Sequence, residues 1–293
     1  MRSGDWQARV EGTLEAVAPV RRRPEWHALG EGVGGARWRL RWGEDSWFVK
    51  RGEAEILAAE ADGLKALAAA AALRVPAVIA CGADGDAGYL VLEWLTLGRK
   101  SVAAGAGLGE ALARQHLQTV EGFGWPRHNF IGATPQFNTA SRDWTAFFRE
   151  QRLNFQLRLA AESGYRGALQ ERGAELAAEL AHLFNGYGPQ PALLHGDLWG
   201  GNWGSVVDGG PVVFDPAVYR GDREADLAMT ELFGGFDAEF YAAYRMHAPL
   251  DAGYAVRRDL YQLYHVLNHL NLFGGAYHGQ ALSLMRRLLA NLR

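Results

Sequence analysis

The feature that most constrains the fold of this chain is the stretch from His195 to Asn202, followed by Phe214-Asp215-Pro216. Asp197 lies five residues before Asn202 in that stretch. Short apolar runs on both sides of an Asp-Gly-Gly turn predict a hairpin between the two segments, which carries Asp215 back towards Asn202. The fold must therefore bring a carboxylate, an amide and a second carboxylate together.

These three side chains meet the requirements of phosphoryl transfer from ATP. That reaction needs a group that orients the acceptor hydroxyl and oxygen ligands that hold Mg²⁺ on the phosphates. The spacing is typical of kinase catalytic loops, which predicts Asp197 as the catalytic base and Asn202 and Asp215 as metal ligands. One alternative stays open, because His195, Asp197 and Asp215 could instead hold a transition metal in a hydrolase.

A second candidate region lies near the N-terminus, where glycines precede two short strand patterns. Gly34 and Gly35 come before the alternating segment 37–42, and residues 46–50 form a returning strand that ends at Lys50. A glycine-rich turn between paired strands lets backbone amides approach phosphates. Gly34 and Gly35 are therefore candidate nucleotide contacts, although a flexible turn explains the glycines alone equally well.

The Ala-rich segment from Glu53 to Ala72 has leucines at helical spacing and predicts a helix. Glu60 falls on its apolar stripe, where an unpaired buried carboxylate would cost several kcal/mol. Lys50 is the natural partner, since kinases use a Lys–Glu pair to fix the lysine on the ATP phosphates. The alternative is that Glu60 lies at the solvent edge of the stripe.

The apolar run from Tyr89 to Leu95 precedes a change to helical sequence. In a kinase-like fold this strand becomes the hinge, and the backbone of Glu93, Trp94 and Leu95 would bind the adenine edge. A plain buried strand fits the run equally well. The small-residue segment 98–107 is predicted to connect the two lobes, and helices are predicted over residues 110–120, 143–161, 224–233, 236–246 and 260–273.

Length and composition narrow the class of protein. The 293 residues allow one large domain or two lobes, and the net charge of −3 implies no broad basic surface for nucleic acid. No apolar run reaches the roughly 20 residues of a membrane span, and the N-terminus lacks an apolar signal core. The single Cys81 excludes an intrachain disulfide. We expect a soluble, cytoplasmic protein with no nucleic acid or membrane partner.

Together these segments resemble the fructosamine kinase (ketosamine 3-kinase) family, which is related to aminoglycoside phosphotransferases and choline kinases. The catalytic pattern alone indicates only a kinase-like phosphotransferase. Two further segments narrow it to this family, Ile131-Gly132-Ala133-Thr134-Pro135-Gln136-Phe137-Asn138 and Trp144-Thr145-Ala146-Phe147-Phe148. The similarity covers nearly the whole chain and extends through residues 48–50, 223–228, 233–236 and 267–274.

The resemblance implies an α+β, protein-kinase-like fold with two lobes. A small antiparallel β-rich lobe, residues 1–95, would bind the nucleotide, and a larger helical lobe, residues 96–293, would hold the catalytic loop, the metal and the substrate. The implied cofactors are ATP and Mg²⁺. The implied reaction is phosphorylation of the sugar 3-hydroxyl of ketosamines, which are glycated lysines or small glycated amines, as a step in deglycation repair.

The resemblance also implies that Lys50 and Glu60 anchor the phosphates and that Trp199 packs against the sugar. A monomer or weak dimer is expected. An aminoglycoside or amino alcohol kinase of the same fold stays open as an alternative, as does a nucleotide-binding protein without catalysis. Asp226 fits either a brace for the catalytic loop or an ordinary first-turn carboxylate. Three histidines near the C-terminus are interpreted as structural: His265, His269 and His278.

The chain departs from the family pattern in its first hairpin. Members usually carry a Gly-Gly turn followed by a polar or cysteine-containing segment, whereas here Gly34-Gly35 is followed by Ala36 and Arg37. The resemblance therefore does not extend to phosphate contacts from this turn, so Gly34 and Gly35 stay candidates on their glycine pattern alone, and no loop disulfide is predicted.

Overall fold

A computed structural model describes residues 5–17, 23–32, 34–207 and 210–292. The N-terminal part of the chain forms a lobe that is built on a β-sheet. Its five described strands lie in the order β1-β2-β3-β5-β4, and each neighbouring pair is antiparallel. The elements of this lobe are α1 (Asp5–Val17), β1 (Glu25–Gly32), β2 (Gly35–Trp42), β3 (Asp45–Glu53), α2 (Ala54–Ala70), β4 (Val78–Asp84) and β5 (Ala87–Glu93).

The larger lobe is mainly helical, and its short strands lie around the catalytic loop. Its first elements are α3 (Val102–His116), β6 (Asn129–Ile131), β7 (Thr134–Gln136), α4 (Trp144–Phe148), a π-helical turn (Arg149–Leu153), α5 (Asn154–Glu162), α6 (Ala168–Glu179) and a 3₁₀ turn (Leu180–Phe184). They are followed by β8 (Pro191–Leu194), β9 (Trp203–Ser205), β10 (Pro211–Val213), β11 (Tyr219–Asp222), α7 (Glu224–Leu232), α8 (Ala238–His247), α9 (Tyr254–Phe273), a 3₁₀ turn (Gly275–Tyr277) and α10 (His278–Asn291). The predicted two-lobed α+β fold is confirmed.

Apolar and basic residues alternate along β2, and this alternation determines which face of the sheet meets the cleft. Trp38, Leu40 and Trp42 point to one side, where α1 covers them with an apolar face that includes Trp6. The Trp6 and Trp38 ring centroids lie 5.1 Å apart. Successive strand residues point to opposite faces. The arginines of β2 therefore lie on the opposite face of the sheet, where Arg37 lines the cleft.

One apolar cluster joins the two lobes beneath the cleft. It combines residues of α2 and β5 with residues next to the catalytic loop, namely Leu57, Leu64, Leu90, Leu193, Leu198, Val213 and Val218. α2 approaches that loop closely, because a Cβ at Gly63 would lie 3.1 Å from a methyl group of Val218. This packing fixes β3 and α2, which carry Lys50 and Glu60, against the segment that carries Asp215.

The prediction of a connection over residues 98–107 is wrong in its second half. Helix α3 begins at Val102, and the Ser101 hydroxyl accepts a hydrogen bond from Ala104 N at 3.1 Å as its N-cap. The sequence predicts a helix that starts only at residue 110, because glycines usually weaken helices. Here they permit close packing, since a Cβ at Gly109 would lie 2.2 Å from the Phe240 carbonyl oxygen of α8.

Replacing Gly109 with Ala should therefore destabilise the protein, by about 1–3 kcal/mol in the free energy of unfolding, because α3 and α8 must move apart. Gly12 in α1 is the matched control, because its added Cβ would meet nothing within 4 Å. Gly12→Ala should be neutral or stabilising by up to about 1 kcal/mol. Urea unfolding measures both, and equal stability of the two variants would contradict the packing role of Gly109.

None of the helices described combines the length and the apolar character that crossing a bilayer requires.

Candidate active site

A cavity of about 310 Å³ opens between the sheet lobe and the helical lobe. Most of the residues predicted from the sequence to form a site line it together, although they come from distant parts of the chain. They are Gly34, Gly35, Lys50, Glu60, Asp197, Trp199, Asn202 and Asp215. The structure therefore places the two regions identified in the sequence on opposite walls of one cleft.

Lys50 connects the two lobes across this cleft. Its Nζ lies 2.8 and 2.9 Å from the two carboxylate oxygens of Glu60 and 2.5 Å from Oδ1 of Asp215. Burial alone would lower the pKa of Lys50, but the charges of Glu60 and Asp215 outweigh it and raise the pKa above its ordinary value. Glu60 is thus paired and is not at the solvent edge of its helix.

Asp215 has an unusual backbone conformation, with a φ of +56°. The left-handed region costs a non-glycine residue about 1–2 kcal/mol, and Asp tolerates it better than most. Neighbouring hydrogen bonds hold it, since Phe214 N donates to Asn202 O at 3.0 Å and Asn202 Nδ2 donates to Asp215 O at 3.4 Å. Burial would raise the pKa of Asp215, but Lys50 lowers it below its ordinary value.

Asp197 and Asn202 are hydrogen-bonded to each other on the helical side of the cleft. Asn202 Nδ2 donates to the backbone oxygen of Asp197 at 2.9 Å and to its Oδ2 at 3.2 Å. This leaves the amide oxygen of Asn202 available to a cation. Burial raises the pKa of Asp197 to about 7, and the nearby charge of Asp215 adds to this rise. A carboxylate with a raised pKa is a better proton acceptor.

Asp226 braces the start of the predicted catalytic loop, and this resolves the two interpretations of its sequence position. Its carboxylate accepts hydrogen bonds from His195 N at 2.7 Å and from Gly196 N at 2.8 Å. Gly196 has a φ of +82°, and a Cβ there would lie 2.0 Å from Ala217 O. The loop therefore passes close to the Asp215 segment, and Asp226 holds it in that place.

His116 was missed by the sequence analysis, and it completes this brace. Its Nε2 lies 3.1 Å from Asp226 Oδ2, and its Nδ1 lies 2.9 Å from the Tyr244 hydroxyl. His116 ends α3, which is 110 residues away from Asp226 in the chain. No local pattern in the sequence marks it, because its role depends on how α3 packs against α8.

Replacing Asp226 with Asn should destabilise the protein by about 1–3 kcal/mol, since one buried backbone donor loses a charged acceptor. Burial raises the pKa of Asp226, but the hydrogen bond from His116 and neighbouring charges lower it below its ordinary value. The difference in unfolding free energy between the wild type and Asp226→Asn is then fully present above about pH 4 and shrinks as the pH falls further.

Urea unfolding between pH 3 and pH 7 measures this difference. Asp143→Asn is the matched control, because Asp143 also accepts from a backbone N–H, at Ala146, but at an exposed helix N-cap where Asn serves equally well. Equal loss of stability in the two variants, or a difference that grows in acid, would contradict the brace.

A buried polar network behind the cleft explains the Ile-Gly-x-Thr-Pro-x-x-Asn segment. Asn129 Nδ2 donates to Val218 O at 2.7 Å, and Gln136 Nε2 donates to Ala217 O at 3.1 Å. Asn138 joins the network through Asn129 Oδ1, and its own Oδ1 accepts from the fully buried Arg152 at 2.7 Å. The network fixes the backbone that follows Asp215, a role that the motif did not reveal.

The glycine-rich turn lies directly over the end of β3. Gly35 has a φ of +106°, and a Cβ there would lie 2.2 Å from Arg51 O. A Cβ at Gly52 would lie 2.4 Å from Gly34 O. These close approaches explain the glycines without requiring a phosphate contact.

Trp199 lies at the mouth of the cavity and is 41% exposed. Its ring covers Gly201, because a Cβ there would lie 2.2 Å from the ring.

His269 of α9 also lines the cavity, whereas His265 is buried and its pKa is lowered by burial to about 3.

The predicted adenine hinge does not line this cavity. The Glu93 backbone N–H donates to Ala77 O at 2.9 Å, and the Trp94 ring lies under the Arg39 guanidinium at 4.5 Å. Backbone donors of Trp94 and Leu95 are the ones that an adenine could use, and that role stays a prediction.

The metal-dependent hydrolase alternative is not supported by the surroundings of His195. Its Nε2 lies 3.1 Å from Phe214 O, and its Nδ1 accepts from Asp197 N at 3.3 Å. Both ring nitrogens thus have partners within the loop, and burial lowers the pKa of His195. Among the residues that the structure describes, no group of three or more His, Cys, Asp or Glu side chains is placed to share a metal ion.

A sheet lobe whose paired lysine faces an Asp–Asn–Asp set is the architecture of protein-kinase-like phosphotransferases, and this chain is one of them. Within that class, the model of the fructosamine kinase family matches residues 14–291. The chain therefore belongs to the fructosamine kinase family.

Individual relatives agree with this assignment. The chain is 45% identical over 251 residues to a Synechocystis protein named probable ketoamine kinase, covering 84% of each chain. It is 41% identical over 254 residues to the Arabidopsis thaliana chloroplastic protein-ribulosamine 3-kinase, covering 85% of this chain and 77% of the relative.

Solved structures show the same fold. A Thermobifida fusca protein assigned as a fructosamine-3-kinase superposes with a TM-score of 0.83 at 34% identity, covering 91% of this chain and 93% of that one. Aminoglycoside phosphotransferase APH(4)-Ia, solved with AMP-PNP and hygromycin B, has a TM-score of 0.66 at 17% identity, covering 97% and 98% of the two chains. The second likeness is one of fold alone.

Proposed function

We propose that this chain is an ATP-dependent kinase that phosphorylates the sugar 3-hydroxyl of ketosamines such as fructosamines and ribulosamines. Family membership supports the substrate class, and the names of the relatives specify ketoamines and ribulosamines. The observation that carries the proposal is the bridge from Lys50 to Asp215 across a cleft that also contains Asp197. Phosphorylation at this position destabilises the adduct and frees the amine, which is a deglycation reaction.

Asp197 acts as the base in this proposal. It accepts the proton of the sugar hydroxyl as the hydroxyl oxygen bonds to the terminal phosphorus of ATP, and the bond from that phosphorus to the bridging oxygen breaks so that ADP leaves. Burial raises its pKa, which favours this proton transfer. Trp199 offers an exposed aromatic face to the apolar C–H surface of the sugar. The nucleotide is held from the opposite wall, where Lys50 contacts its phosphates and Glu60 keeps the lysine in place.

The donor set on the helical wall fits Mg²⁺. The carboxylate of Asp215 and the free amide oxygen of Asn202 are hard oxygen ligands, which this ion prefers. Both line the cavity next to Asp197. When bound, Mg²⁺ would neutralise part of the negative charge of the nucleotide phosphates. Asp215 and Asn202 would hold the ion, and Asp197 would orient the sugar hydroxyl.

We further propose residues 1–95 as the nucleotide lobe and residues 96–293 as the lobe of catalysis and substrate binding. The backbone of the segment 93–95 would contact the adenine. A glycated lysine as the natural substrate, a cytoplasmic location and a monomer or weak dimer stay predictions from the sequence.

An ATP-consumption screen tests the substrate class. The purified protein is offered fructosamines, ribulosamines, aminoglycosides and choline at equal concentrations. Ketosamines should be turned over at least tenfold faster than the other compounds. Preferred turnover of an aminoglycoside or of choline would replace the ketosamine proposal by the same-fold alternative, and absence of turnover with ketosamines would overturn it.

A further inference from the structure

Arg37 lines the cavity, but the proposed reaction assigns it no role. It lies directly opposite Lys50 in the β2–β3 ladder. Directly paired strand residues present their side chains on the same face of a sheet. Both side chains line the cavity. The described lining residues include one lysine and one arginine, which are these two.

The two cations differ in how their charges are compensated. Lys50 is bound by two carboxylates, whereas among the described residues Arg37 Nη2 donates to an uncharged group, the backbone oxygen of Glu31, at 3.0 Å. The Arg37 Nε is shielded from solvent and has no hydrogen-bond partner in the described part of the chain. A guanidinium with a neutral partner and an unused donor beside a cleft is suited to an anionic ligand.

The glycine-rich turn makes room for this guanidinium. A Cβ at Gly32 would lie 2.6 Å from Nη2 and 2.9 Å from Cζ of Arg37. The guanidinium therefore lies against the backbone of the turn, on the side of the cavity. Ala36 and the turn glycines provide no polar side chain, and of the three arginines of β2, Arg37 is the one that lines the cavity and can offer charged hydrogen bonds there.

We propose that Arg37 binds the terminal phosphates of the nucleotide beside Lys50. This inference rests on the proposed kinase function. A planar guanidinium can donate two parallel hydrogen bonds to phosphate oxygens, which a lysine cannot do. Its place opposite Lys50 and next to the glycine-rich turn puts it on the wall that we propose to hold the phosphates.

Calorimetric binding of ATP, ADP and AMP to Arg37→Gln tests the proposal without turnover. Affinity for ATP and ADP should fall about tenfold to a hundredfold, the range for lost hydrogen bonds to charged groups. Affinity for AMP should change less than twofold. Arg41→Gln is the matched control, because Arg41 is an exposed arginine of the same strand and should leave all three affinities unchanged.

Arg37→Lys provides a second test that keeps the charge and removes the planar fork. It should bind ATP with an affinity between those of the wild type and Arg37→Gln. Thermal unfolding without nucleotide shows whether each variant is folded, and the Lys variant carries the test if the Gln variant is not.

Unchanged ATP and ADP affinities in Arg37→Gln would overturn the role of Arg37. An equal loss for AMP would also overturn it, because that points to a distorted cleft. A higher KM for the ketosamine with unchanged nucleotide affinity would overturn it in favour of an anionic group on the acceptor. The kinase proposal survives all three results if the wild type binds ATP, whereas a wild type that does not bind ATP overturns both proposals.

Discussion

Replacing Asp197 with Asn should lower turnover by about 100- to 10,000-fold, which is the usual contribution of a general base. Affinity for Mg-ATP should stay within about threefold of the wild type, a change below 1 kcal/mol. The amide keeps the shape of the side chain and can still accept the hydrogen bond from Asn202, which in the wild type is 3.2 Å long. It cannot accept the proton of the sugar hydroxyl. Steady-state kinetics and calorimetry on the same preparation measure the two quantities separately.

Asp86→Asn serves as the control for this variant, because Asp86 is exposed in the turn between β4 and β5 and lies outside the cavity. It should retain both turnover and nucleotide affinity. Wild-type turnover in Asp197→Asn would exclude Asp197 as the base. A loss of nucleotide affinity as large as the loss of turnover would instead assign Asp197 to nucleotide binding.

Replacing Asp215 with Asn should weaken Mg-ATP binding by about tenfold or more, or about 1.4 kcal/mol, because Mg²⁺ loses an anionic ligand. Binding of metal-free ATP should be no weaker than in the wild type, since a negative charge near the phosphates is removed. Asn tolerates the positive φ of 56° at this position, so the backbone is preserved. Lys50 keeps its pairing with Glu60 in this variant.

Calorimetry with and without Mg²⁺ separates these two effects, and the metal-free titration is the internal control. Asp215→Ala replaces a residue that tolerates positive φ with one that tolerates it less well, at a cost of up to about 1–2 kcal/mol. It should therefore be less stable than Asp215→Asn but have a similar ratio of Mg-ATP affinity to metal-free ATP affinity. A wild-type ratio of Mg-ATP to metal-free ATP affinity in both variants would exclude a metal role for Asp215.

The parts of the site that could be predicted are those encoded by short spacings. Asp197 and Asn202 belong to one loop, and the hairpin that returns Asp215 can be recognised from its turn and flanking strands. The Lys50–Glu60 pair follows from a different argument, because a carboxylate on an apolar helical stripe requires a cation. The contact between Lys50 and Asp215 spans 165 residues, and it was expected only because the kinase pattern places the two regions together.

The parts that could not be predicted depend on packing between distant elements. His116 meets Asp226 only because α3 packs against α8, and the glycines that allow this contact suggested a loop when considered alone. Asn129 and Gln136 are polar residues whose burial depends on backbone carbonyls of the segment after Asp215, and the buried Arg152 depends on the side-chain oxygen of Asn138. Local propensity contains no information about such partners, because hydrogen-bonding groups of this kind are also common in exposed loops.

The apolar cluster beneath the cleft has a thermodynamic consequence. Each half has an apolar cluster of its own, but Leu57 and Leu90 of the sheet lobe are buried together with Leu193 and Val218 of the helical lobe, so part of the interior is shared between the halves. Cooperative melting of the whole chain in one transition is the expected behaviour of such a molecule. An isolated fragment of either half would expose this surface to water, so dissecting the enzyme into separately expressed pieces would produce aggregation in place of two working modules.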